Sequence, residues 1–77
     1  MSRYNNLNTG LKIVQRMIKT YLERYPDNCP FYAEVLEDSI MGAPQPHNHS
    51  RQFLNNILWD IADSDKNPLE ITPEDLQ

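Results

Sequence analysis

The run Leu7-Asn8-Thr9-Gly10-Leu11-Lys12-Ile13-Val14-Gln15-Arg16-Met17-Ile18-Lys19-Thr20-Tyr21-Leu22-Glu23-Arg24-Tyr25 decides the fold. Leu7, Leu11, Val14, Ile18, Tyr21 and Tyr25 follow one another at intervals of 4, 3, 4, 3 and 4 residues, the period of a helix with one apolar side. Met17 and Leu22 broaden that side beyond the narrow seam of a two-stranded coiled coil, as packing into a globular core requires. The pattern predicts a helix over about 9–25. Asn8 or Thr9 supplies a capping oxygen, Gly10 weakens the first turn, and Pro26 ends the helix by excluding the residue before it from helical geometry.

Two further helices follow from the same signals. In Pro26-Asp27-Asn28-Cys29-Pro30 a turn contains a helix start, with Asn28 or Cys29 as cap and Pro30 first in the helix, where a missing amide proton is no loss. Phe31, Tyr32, Val35, Leu36 and Ile40 then share one side and Glu34, Glu37 and Asp38 the other. This second helix runs over about 30–41, with Gly42 as a left-handed C-terminal cap. Residues 42–49 read as loop. Asn48 or Ser50 caps a third helix over about 50–63, carried by Phe53, Leu54, Ile57, Leu58 and Ile61. In the tail, 64–77, Leu69-Glu70-Ile71 alternates like a short extended piece, and Thr72-Pro73-Glu74-Asp75 reads as a single-turn helix start.

The fold class is therefore all-α: a small three-helix bundle in a single domain, 1–77, with a short C-terminal segment packed across it. Its expected core is Leu11, Val14, Ile18, Tyr21, Leu22, Phe31, Val35, Leu36, Ile40, Leu54, Ile57, Leu58 and Ile61. The near-heptad stripe of the first helix also makes self-association into a homodimer an expectation.

Composition narrows the function. At 77 residues and 9.0 kDa the chain is below the usual size of one domain, roughly 100–200 residues. Leu, Ile, Val and Phe make up 18 residues, enough to separate it from disordered chains. Apolar residues come only in short runs, so neither a membrane span nor a signal-peptide core is expected. The default location is the cytoplasm. One cysteine, Cys29, excludes an internal disulfide and a four-cysteine zinc site. Cys29 reads as a small buried filler, because a nucleophile needs a positioned base and an orienting group. His47 and His49 flank one asparagine without the companions a metal requires and read as surface loop residues. No catalytic motif occurs, and an enclosed active site would have to be carved from a very small core. The expectation is no enzyme, no cofactor and no metal.

Charge is the informative feature. Residues 1–25 carry net +4, with Arg3, Lys12, Arg16, Lys19 and Arg24 against Glu23, whereas residues 26–77 carry net −8 and the whole chain −4. Lys12, Arg16, Lys19 and Glu23 recur at intervals of 4, 3 and 4 and so lie opposite the apolar stripe. Trp59 lies opposite the stripe of the third helix, beside Gln52, Asn55 and Asn56; there it is either covered by Leu69, Ile71 or Leu76 of the tail or by Met1 and Tyr4, or it anchors an interface, a role in which Trp is enriched. The leading expectation is a non-catalytic interaction or regulatory protein that binds a protein partner through Trp59, Gln52, Asn55 and Asn56 and through Lys12, Arg16, Lys19, Glu34, Glu37 and Asp38. The alternative is a small helix-turn-helix-like DNA-binding regulator. It would use Lys12, Arg16 and Lys19 on phosphates and Arg51 and Gln52 at the start of a recognition helix.

Overall fold

The computed structural model describes residues 6–27, 31–44 and 49–76. They form a three-helix bundle: α1 (Leu7–Arg24), α2 (Tyr32–Gly42) and α3 (Arg51–Asp63), followed by two short 3₁₀ turns, Pro68–Glu70 and Pro73–Leu76. No strand occurs among the described residues. All three helices pack on one another, and both turns lie along α1.

The apolar stripe of α1 faces inward: Leu7, Leu11, Val14, Ile18 and Tyr21 are buried. The helix begins at Leu7, two residues before the expected start, with Asn6 rather than Asn8 or Thr9 in the capping position. Burial of Leu7 favours the extra half turn, and Asn6 adopts a left-handed φ of 58°, which its short polar side chain tolerates. Gly10 is buried against α3. A Cβ there would lie 2.5 Å from Phe53 Cε1 and 2.7 Å from Ile57 Cδ1, so its lack of a side chain is what lets the two helices meet.

In α2 the buried arc is Tyr32, Ala33, Leu36 and Ile40. This corrects the expected core at two positions: Phe31 and Val35 are 57% and 48% exposed. α2 is turned so that Ala33, 1% exposed, joins Tyr32, Leu36 and Ile40 in the core, and that rotation carries Phe31 and Val35 to the flank. Leu22 is likewise only partly buried. Gly42 is the last helical residue, and no described glycine has positive φ, so the left-handed cap is absent. The expected caps Asn28 and Cys29, and Pro30, lie outside the described residues, as do His47 and Asn48.

Ser50 caps α3 as expected, its Oγ accepting from the Phe53 amide at 3.0 Å. His49 precedes it and is buried rather than exposed, with its ring stacked on Phe53 at 5.6 Å. An apolar contact from the residue before the cap fixes the angle at which the chain enters a helix. Leu54, Ile57, Leu58 and Ile61 are almost wholly inaccessible, and truncating any one to Ala costs about 2–5 kcal/mol.

The tail crosses the bundle as expected, but Leu69 and Glu70 belong to a 3₁₀ turn rather than an extended piece. Pro68, Ile71 and Leu76 are buried. Gln15 of α1 holds the tail by donating from one Nε2 to the carbonyls of Pro68 at 3.0 Å and Ile71 at 2.9 Å. Asp75 accepts from the Thr72 amide (2.9 Å) and hydroxyl (3.1 Å) and pairs with Lys66 Nζ at 2.6 Å. The Lys66 ammonium, followed by the Thr72 amide, holds the Asp75 carboxyl at about 2, below its ordinary 3.8.

Candidate functional site

Two sets of candidate residues fare differently in the folded chain. On α3, Trp59 is not a free ring opposite the core. It is partly buried against the core, and its indole Nε1–H donates to Glu37 Oε2 of α2. Trp59 leaves α3 on the side that faces α2, and the length of the indole carries it across. α2 supplies its hydrogen-bond partner; of the coverings expected from sequence, Ile71 and Leu76 are buried in the core against which Trp59 packs, Leu69 remains 41% exposed, and Met1 and Tyr4 lie outside the described residues.

The other polar residues of α3 are also engaged. Arg51 Nε donates to the Ala43 carbonyl at 3.0 Å, closing the α2–α3 connection. Gln52 donates to Asn56 Oδ1 one turn along at 2.9 Å. Asn55 is partly buried, with its Oδ1 inaccessible and unpaired. These are the groups a recognition helix would present, and here they bond within the fold or turn toward it.

The acidic set of α2 divides. Glu37 sits at the edge nearest α3, bound to Trp59, while Glu34 and Asp38 are exposed one turn apart. On α1, Lys12, Arg16 and Lys19 are all exposed. Among the described residues no ion pair joins them to Glu34 or Asp38.

Between the basic side of α1 and the exposed side of α2 runs an open groove of about 320 Å³, lined by Arg16, Met17 and Thr20 from one helix and Leu36 and Ser39 from the other. Met17 and Leu36 give it an apolar floor. Val35 lies one turn before Ser39 on α2, and Phe31 one turn before that, so their exposed side chains extend the apolar strip along the helix. Sequence reasoning missed Val35 and Phe31 as surface residues because it placed both in the core. It missed Met17, Thr20 and Ser39 because a groove is a property of two helices at once.

No group of three or more His, Cys, Asp or Glu among the described residues is placed to hold a metal ion, and no helix among them is long and apolar enough to cross a membrane. No protein-family model, curated protein or solved structure matches the chain.

Proposed function

We propose that this chain is a non-catalytic interaction or regulatory protein, acting in the cytoplasm, that binds a protein partner through the face shared by α1 and α2. The observation that carries this reading is the groove over Met17 and Leu36, continued by Val35 and Phe31 at 48% and 57% exposure. A continuous apolar strip rimmed by charge is the composition of a protein-binding surface, in which the centre supplies affinity and the rim supplies register and on-rate. Trp59 enters this reading as a support for α2, through Glu37, and not as the anchor.

Affinity capture with matched variants tests the reading. Val35→Asp places a charge in the strip, and Asn56→Asp changes an exposed position on α3. Proteins retained by wild type and Asn56→Asp but lost from Val35→Asp support the proposal; identical capture by all three, from a chain that is also monomeric, overturns it. Anisotropy of labelled mixed-sequence duplex DNA covers the alternative. Tight binding at low salt that collapses with added salt, and that Arg16→Glu abolishes, would transfer the basic face to a nucleic-acid partner.

A further inference from the structure

We propose that the partner of the α1–α2 face is a second copy of this chain, related to the first by a two-fold axis. The inference rests on the reading of that face as a binding surface and names its occupant. The argument lies in the order of side chains across the face. From the groove outward on α1, the surface passes from Met17 through Thr20 and Arg16 to Lys12 and Lys19, with Glu23 as the one acid among three cations. From the groove outward on α2, it passes from Leu36 and Ser39 through Val35 and Phe31 to Asp38 and Glu34. One edge is net basic, at +2 from Lys12, Arg16 and Lys19 against Glu23, the middle is apolar, and the other edge is acidic.

A two-fold axis through the middle of such a face lays each basic edge on the acidic edge of the other copy and each apolar strip on its equivalent. This is the self-complementarity an isologous dimer requires. A partner with a uniform charge would satisfy one edge and be repelled by the other. Within one molecule the two edges stand apart across the groove, without an ion pair between them among the described residues, so both remain free for a second copy.

The test uses the intact chain and light scattering coupled to size exclusion, from micromolar to about 1 mM protein. Wild type is expected at twice 9.0 kDa at the upper concentrations. Arg16→Glu sets like charges together once in each half, so its dimer dissociation constant is expected to rise by about 30–100-fold. The Glu34→Lys/Asp38→Lys variant, which alters the other edge, should weaken self-association similarly. Mixing the two variants restores both edges at once and should return the dimer mass. Every altered position is exposed, so a melting temperature near wild type confirms folding.

A wild-type chain that stays monomeric, or variants that fail to associate when mixed, overturns the second copy as occupant. Growth beyond twice the chain mass overturns the two-fold arrangement. If the chain is monomeric and Val35→Asp still loses captured proteins, the binding face stands without this occupant. If capture is also unchanged, both readings fall.

Discussion

Gly10 and Gly42 offer one substitution with opposite expected signs. Both lie in helices, so Gly→Ala at either removes backbone freedom from the unfolded chain, worth up to about 1 kcal/mol in a helix interior. At Gly42 nothing lies within 4 Å of the new methyl and φ is not positive. Near a helix end the gain is about 0.5 kcal/mol, which raises the melting temperature of a chain this size by about 2–4 °C. At Gly10 the same methyl meets Phe53 Cε1 at 2.5 Å and Ile57 Cδ1 at 2.7 Å. Ile57 is 0% exposed and the partly buried Phe53 ring carries His49 stacked upon it, so neither shifts without disturbing its own packing. Overpacking of this kind costs about 1–3 kcal/mol and outweighs the helix gain, leaving about 1 kcal/mol of destabilisation and a melting temperature lower by about 4–8 °C. Circular-dichroism melts of both variants decide it. A Gly10→Ala chain as stable as Gly42→Ala would refute the close α1–α3 approach.

Three other perturbations follow from the same contacts. Trp59→Phe removes the indole donor and leaves Glu37 without its partner; unfolding in urea should show a loss of about 1 kcal/mol, with a smaller loss for Glu37→Gln, which still accepts. Gln15→Ala frees two carbonyls of the tail and should cost about 1–2 kcal/mol while sharply raising amide exchange in residues 68–76. Asp75 is held at about 2 against an ordinary 3.8. A lowered folded value means its contribution is complete above about pH 4 and lost as pH falls from 3.8 toward 2. The Thr72 amide resonance should therefore titrate near 2 and become pH-independent in Asp75→Asn; a midpoint near 3.8 would contradict the Lys66 pairing.

The parts of the fold legible in the sequence were those fixed by one segment acting alone. The α1 stripe, the Ser50 cap and the inward residues of α3 each follow from spacing or from a local hydrogen bond. The buried arc of α2 was less legible because its apolar residues Phe31, Tyr32, Val35, Leu36 and Ile40 cover about half the helix circumference. Which part turns inward is settled by packing against the other helices, which buries Ala33, and spacing does not register that. The same limit governed the site. Lys12, Arg16 and Lys19 can be assigned to an outer face from α1 alone, but spacing on α2 groups Glu37 with Glu34 and Asp38, and only Trp59, from another helix, sets it apart. His49 read as a surface residue because its burial comes from stacking on Phe53 after the chain turns into α3.

These differences bear on how the chain associates. The stripe of α1, whose near-heptad spacing by itself suggests self-association, is buried against the rest of the bundle: Val14 and Ile18 are both 0% exposed. Self-association through that seam would require unpacking the monomer, at about 2–5 kcal/mol for each core side chain lost. The rotation of α2 that buries Ala33 is what leaves Val35 and Phe31 outside, beside the groove and between the two charged edges. One change in the packing of α2 thus removes two residues from the expected core and supplies the apolar middle of a face that α1 alone would present only as charge. An interface built there can form with the bundle intact, and so can be gained or lost without a change of fold.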